Sequence, residues 1–224
     1  MQSITTGNRN NAFGVDALVV SNATGNNAFG YRALYNNTSG DYNVAIGNYA
    51  MFSNTTTSSS VAIGHQALYS QNSGQYNVAV GRSALYSLTS GQYNVGIGNG
   101  TMFSNTTGTR NSAFGSQSLY ENTTGDYNTA LGHAALYTND SGDENSAVGY
   151  LALRYNTTGG YNTAMGTGAL EGNTTNSYNT AVGITPWPTI IAAIIMLLLA
   201  LIPILETKKG PETVSYTHLR AHET

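Results

Sequence analysis

The stretch Asn77-Val78-Ala79-Val80-Gly81-Arg82-Ser83-Ala84-Leu85-Tyr86 decides the fold, because it returns along the chain. Seventeen residues later stands Asn94-Val95-Gly96-Ile97-Gly98-Asn99-Gly100-Thr101-Met102-Phe103. Seventeen earlier stands Ser60-Val61-Ala62-Ile63-Gly64-His65-Gln66-Ala67-Leu68-Tyr69. A fixed period of this length marks a solenoid, whose repeats cover neighbours that could not bury their apolar faces alone. Aligned on the glycine that follows the apolar residue, the copies fall at Gly14, Gly30, Gly47, Gly64, Gly81, Gly98, Gly115, Gly132, Gly149, Gly166 and Gly183. The first step is 16 residues and every later step is 17. The consensus reads N-x-A-(I/V/F)-G-x-x-A-L-Y-x-N-T-T-G-x-Y.

Counting positions from this glycine, the columns are chemically strict. Position −4 is Asn in ten of eleven copies, with Ser60 the exception, and position −2 is Ala except at Gly96. Position −1 is always apolar, from Phe13 and Phe29 through Ile46, Val80 and Leu131 to Val182. In the ten copies from Gly14 to Gly166 position +3 is Ala, Ser or Thr and position +4 is Leu or Met, and position +9 carries a hydroxyl in the regular copies. Each repeat is expected to hold two short extended pieces, such as Asn77–Val80 and Ala84–Tyr86, separated by turns rich in Gly, Asn and Thr. Helix is disfavoured by so much Gly, Asn and Thr. Parallel stacking at ~4.8 Å per coil makes an all-β rod of 17-residue coils, a parallel β-roll (β-solenoid) over 1–184 roughly 50 Å long.

Composition narrows the function classes. Only 8% of residues are charged, the net charge is −3, and nothing points to a nucleic-acid partner. Cysteine is absent, which removes disulfides and thiol chemistry. Such polarity with low charge could signal disorder, but the strict period argues against it.

The N-V-A-I-G-x-x-A core, as in Asn43–Ala50 and Asn77–Ala84, resembles the head repeat of trimeric autotransporter adhesins, and similar repeats occur in phage tail fibres. The resemblance covers 1–184. It implies a left-handed parallel β-roll that associates side by side as a homotrimer, is displayed on a bacterial cell surface or on a virion, and meets a host-surface receptor or glycan. The 17-residue period is longer than the usual adhesin head repeat, with an added Asn-Thr-Thr-Gly-x-Tyr loop. Trimerisation also has a reason in the residues: a thin roll with leftover apolar columns, the Leu or Met of each copy among them, gains burial from symmetric association.

Both ends of the chain read differently from the repeat. Met1-Gln-Ser-Ile-Thr-Thr-Gly7 aligns with Met102-Phe-Ser-Asn-Thr-Thr-Gly108, so Met1 sits in the Leu/Met column and is expected to be an internal start. Val214–Thr224, VSYTHLRAHET, resembles a translated sequencing-library adapter, so 214–224 is set aside as a scar. In the hydrophobic segment 185–213, Ile190–Leu205 lies between Trp187 and Lys208-Lys209 and reads in frame as a borderline membrane helix. Shifted by one nucleotide, positions 186–200 allow A-L-A-N-N-N-S-G-D-Y-N-V-A-I-G instead. That is a twelfth copy in register, ending 17 residues beyond Gly183. The shifted reading is preferred, and with it a membrane span is not expected.

The search for chemistry returns columns rather than constellations. His65 and His133 share position +1 with Tyr31, Asn48, Arg82 and Ser116, while His218 and His222 fall in the scar. Asp41, Asp126 and Asp143 share a column with Gln75 and Gln92. With no metal-ligand spacing and no base–nucleophile arrangement, the expectation is no catalytic residue, no cofactor, no metal and no enzyme. The Asn-x-Thr/Ser sites at Asn54, Asn105, Asn122, Asn156 and Asn173 match the glycosylation acceptor, but are more simply the loop consensus repeated.

Three ladders remain. The position −4 column, from Asn26 to Asn179, is expected to stack as a hydrogen-bonded turn ladder. Tyr35, Phe52, Tyr69, Tyr86, Phe103, Tyr120 and Tyr137 form one aromatic ladder; Tyr42, Tyr76, Tyr93, Tyr127, Tyr161 and Tyr178 form another. Stacked rings that stabilise adjacent coils are the preferred reading of both. Exposed Tyr beside Asn that grips a glycan or a protein is the alternative.

Overall fold

Each Asn-x-Ala-apolar-Gly motif forms one short strand, with the middle Ala turned inward and its neighbours outward, as alternation in an extended chain requires. The computed structural model describes residues 3–4 and 7–184, and among them every regular element is a strand. Two two-residue strands, β1 (Ser3–Ile4) and β3 (Val20–Ser21), pair in parallel near the N-terminus. The remaining eleven, one per coil, stack in parallel and almost in chain order into a single sheet. They run from β2 (Asn11–Phe13) and β4 (Asn27–Phe29) through β5 (Val44–Ile46), β6 (Val61–Ile63), β7 (Val78–Val80), β8 (Val95–Ile97) and β9 (Ser112–Phe114). Then follow β10 (Thr129–Leu131), β11 (Ser146–Val148), β12 (Thr163–Met165) and β13 (Thr180–Val182). Register is exact to the residue: Ala45 lies on Ala62, Ala62 on Ala79, and Ala130 on Ala147. The expected parallel β-solenoid of 17-residue coils is therefore the fold. The hydrophobic segment 185–213 with its in-frame and shifted readings, and the scar at 214–224, lie outside the described residues.

The second extended piece is not a strand. Ala84 and Leu85 are adjacent, yet both are fully buried, which a strand cannot achieve. The chain manages it by left-handed backbone at positions +2 and +4, as at Ser83 (φ 55°) and Leu85 (φ 53°). Two successive turns result: Ala84 N–H donates to Gly81 C=O at 3.3 Å, and Leu88 N–H donates to Leu85 C=O at 3.3 Å. Holding a leucine at positive φ costs on the order of 1–2 kcal/mol. The burial of the whole side chain (about 1.5–3 kcal/mol) offsets it, as does the bond from Leu85 N–H to Thr101 C=O of the next coil at 2.9 Å.

The interior has an apolar half and a polar half. Alanines at −2 and +3 and the Leu or Met at +4 fill the first, with Leu34, Met51, Leu68, Leu85 and Met102 all at 0% exposure. The Leu/Met column is thus core, and the expectation that it is left over for association is corrected. Two asparagine ladders fill the second half. The expected one, at −4, is present: Asn111 N–H donates to Asn94 Oδ1 at 3.0 Å and Asn128 N–H to Asn111 Oδ1 at 2.9 Å. The other stands at +7, where Asn139 Nδ2 donates to Asn122 Oδ1 at 2.8 Å and Asn156 Nδ2 to Asn139 Oδ1 at 2.7 Å. The two ladders meet on one loop carbonyl per coil. Gly159 C=O accepts Asn145 Nδ2 and Asn156 Nδ2, both at 2.8 Å, and Gly142 C=O accepts Asn128 and Asn139 in the same way. Both lone pairs of a buried carbonyl are then used, so a loop with little apolar content closes without orphaned backbone.

One coil departs from this pattern at both ladders together. Ser60 replaces the −4 Asn and Gln71 replaces the +7 Asn of the same coil, and Gln71 Nε2 reaches Ser60 Oγ at 3.3 Å. The longer amide covers the distance the shorter side chain gives up. The 16-residue first step is absorbed in the outer loop, where Ser21 and Ala23 flank a single residue, Asn22; the equivalent Asn37 and Gly40 flank two.

Candidate functional site

The faces left outward are defined by what the interior takes. On the strand side, positions −3 and −1 both point to solvent. Phe29, Ile46, Ile63, Ile97, Phe114, Leu131, Met165 and Val182 are exposed, and Val44, Val61, Val78 and Val95 stand beside the central ones half-buried. This is a flat apolar stripe repeating at the sheet spacing along eleven coils. Sequence reading identified the −1 column as apolar but did not place it outside. The alternation about the inward Ala was the signal that could have done so.

The first aromatic ladder is realised as a continuous stack. From Tyr35 to Tyr137 seven rings lie nearly parallel, with successive centroids 5.5, 5.3, 5.0, 5.0, 5.2 and 5.1 Å apart. All are half-buried, and the column ends in the Arg154–Glu171 pair at 3.8 Å. The faces of these rings are spent on each other, as the stabilising reading requires.

The second ladder stands at −5 and is more exposed and broken. Tyr76 stacks on Tyr93 at 5.1 Å and Tyr161 on Tyr178 at 4.9 Å. Ser59, Arg110 and Glu144 occupy the same column between tyrosines. Every non-glycine member has positive φ, from 55° to 63°. The phenol of Tyr161 is raised above the ordinary tyrosine value of 10.0, first by the neighbouring charge of Glu144 and then by a hydrogen bond to it.

The titratable residues do not converge. His65 meets Tyr49 edge-on at 6.4 Å, while His133 stacks on Tyr150 at 5.6 Å; both are exposed and four coils apart. The acidic column serves the backbone. Asp41 Oδ1 accepts Thr24 N–H at 2.7 Å, Asp126 Oδ1 accepts Thr109 N–H at 2.6 Å, and Asp143 Oδ1 accepts Asp126 N–H at 2.7 Å. Ser58 and Ser177 do the same from this column, so any short oxygen acceptor suffices. Among the described residues no group of three His, Asp or Glu could hold a metal ion, and no helix is long and apolar enough to cross a membrane.

Four of the five Asn-x-Thr/Ser asparagines are inside, and Asn173, in the last of these loops, is half-buried. Asn54, Asn105, Asn122 and Asn156 are at 0% exposure, and Asn156 Nδ2 donates to both Asn139 Oδ1 and Gly159 C=O. An amide nitrogen so placed is out of reach of a sugar transferase in the folded chain. The threonine hydroxyls at +8 are also occupied: Thr89 and Thr106 each donate to the next coil's carbonyl at 3.0 Å. Besides the polar outer loops, the described residues offer a partner two surfaces, the apolar strand face and the −5 column. No family model, curated protein or solved structure matches this chain.

Proposed function

We propose that residues 1–184 are a structural and adhesive segment of a trimeric surface fibre that mediates attachment, with no catalytic role. The observation that carries this reading is the exposed apolar column at −1, kept in every coil while almost every other outward position varies. A continuous stripe of Ile, Phe, Val, Leu and Met along a soluble rod exceeds what an isolated protein ordinarily exposes. A partner that covers it must repeat at the same ~4.8 Å spacing over the whole length, and another copy of the chain in register does so coil for coil. Side-by-side copies around a symmetry axis also protect the flat strand faces from indefinite aggregation. Display at a bacterial cell surface follows from the likeness to adhesin head repeats, and the receptor or glycan would be met by the polar outer loops.

The test is the molar mass of residues 1–184 by light scattering, beside a variant carrying Ile63→Glu and Ile97→Glu. We expect a trimer for the parent. We expect the variant to dissociate with its β-sheet circular dichroism retained, because both side chains are outward and leave the core untouched. A parent that is a stable folded monomer would overturn the proposal.

A further inference from the structure

The −5 column contains a missing rung. In this column Arg110 stands between Tyr93 and Tyr127, its guanidinium carbon 5.6 and 5.2 Å from the two ring centroids. Its Nη1 also donates to Tyr127 Oη at 2.6 Å. The guanidinium takes the place that a ring takes between other coils. At Ser59, between Tyr42 and Tyr76, the side chain is only a hydroxymethyl, on backbone that matches Arg110 (φ 58° against 55°). Two coil spacings of ~4.8 Å separate the flanking tyrosines, about the span that Arg110 bridges. Tyr42 leans toward Gly25, where an added Cβ would sit 2.6 Å from its Cδ1. Among the described residues Tyr42 stacks on no ring, and it is 61% exposed against 49% and 50% for Tyr93 and Tyr127. A tyrosine is thus held at left-handed φ (57°) without the stacking that repays Tyr76 and Tyr93.

We propose that the slot between Tyr42 and Tyr76 binds the guanidinium of an arginine side chain on a partner protein. The chain shows with Arg110 that a guanidinium fills such a slot against both rings, whereas Glu144, between Tyr127 and Tyr161, meets the Tyr161 hydroxyl. A guanidinium is planar, weakly hydrated and attracted to ring faces on both sides, whereas an ammonium is compact and strongly hydrated. The Asp41 carboxylate directly before Tyr42 and the net charge of −3 favour a cation. The site needs only the −5 column, not the association of strand faces, so failure of either proposal leaves the other standing.

The experiment is an NMR titration of the full chain with N-acetyl-arginine amide, following the tyrosine ring signals. Saturable shifts are expected at Tyr42 and Tyr76, at least fivefold tighter than with N-acetyl-lysine amide. Ser59→Arg fills the slot from within and should abolish the response, while Arg110→Ser opens an equivalent slot and should add a second response at Tyr93 and Tyr127. Circular dichroism checks each fold, and Arg110→Ser carries the test alone if Ser59→Arg does not fold. No saturable shift, an equal response to the lysine probe, or a response that survives in folded Ser59→Arg overturns the proposal. Preferential binding of N-acetyl-tryptophan amide would overturn it in favour of an aromatic occupant.

Discussion

Asn122 shows how much one polar residue carries in this molecule. Its Nδ2 donates to Gly125 C=O at 3.1 Å and approaches Asn105 Oδ1 at 3.4 Å, and its Oδ1 accepts Asn139 Nδ2. Alanine there removes the bonds, orphans a buried N–H of Asn139 and leaves a void, together about 2–4 kcal/mol. Leucine should cost less than alanine, because it refills the volume; Leu88 already occupies the same column, fully buried. Urea midpoints of Asn122→Ala, Asn122→Leu and the exposed control Thr124→Ala should therefore rank Ala lowest and the control near the parent. An Asn122→Ala midpoint equal to the control's would mean that the ladder is not structural. The −4 ladder was legible in the sequence because Asn stands there almost without exception. The +7 ladder was not recognised, because the same Asn begins an Asn-Thr-Thr loop and Gln71 and Leu88 interrupt its column. Only the three-dimensional approach to Gly142 or Gly159 C=O shows that the two columns are one polar core.

At the scale of the element, the repeat glycine explains why one strand per coil suffices. Gly115 adopts φ 128°, and a Cβ there would lie 2.6 Å from Gly132 C=O of the next coil. This backbone region is open essentially to glycine alone, at about 1–3 kcal/mol for another residue, before any clash. Gly183 has nearly the same φ (138°), but among the described residues nothing lies within 4 Å of its added Cβ. Gly115→Ala should thus lose about 3 kcal/mol or more and loosen the sheet between β9 and β10. Gly183→Ala should lose only the backbone part, about 1–3 kcal/mol. Native-state hydrogen exchange checks both: protection around Thr129–Leu131 must fall in the first and hold in the second, and equal losses would remove the close approach as the cause. The strand itself was legible from the alternation about Ala. The following turns were misread as a second strand because a short apolar run between turn residues, as in Ala84-Leu85-Tyr86, has the outline of a strand. The decisive fact, left-handed backbone under leucine, is imposed by the stacking of coils and leaves no local signature in a residue type that ordinarily avoids it.

At the scale of the molecule, the coils are interchangeable units. Each pairs only with its neighbours, and most inward columns present the same kind of residue to the coils on either side. Deleting residues 116–132 removes one whole coil and joins Gly115 to His133, so that β9 meets β11 with Ala113 facing Ala147. The columns close again: Phe103 comes against Tyr137, Asn105 against Asn139, and Arg110 against Glu144, which adds an ion pair to the −5 column. Stability in such an array is a sum of coil and interface contributions, so the loss should be one unit rather than the fold. The deleted chain should melt cooperatively, lower by a few degrees, with the parallel-sheet circular dichroism of the remaining coils. Deleting only 116–123 brings turn against strand and Asn against Leu, and must disrupt the rod on both sides of the cut. If the two deletions were equally damaging, the coils would be coupled by something other than register. If they were equally harmless, the ladders would not be what holds neighbouring coils together. The period of 17, the first property visible in the sequence, is thereby the quantity the whole molecule is expected to obey.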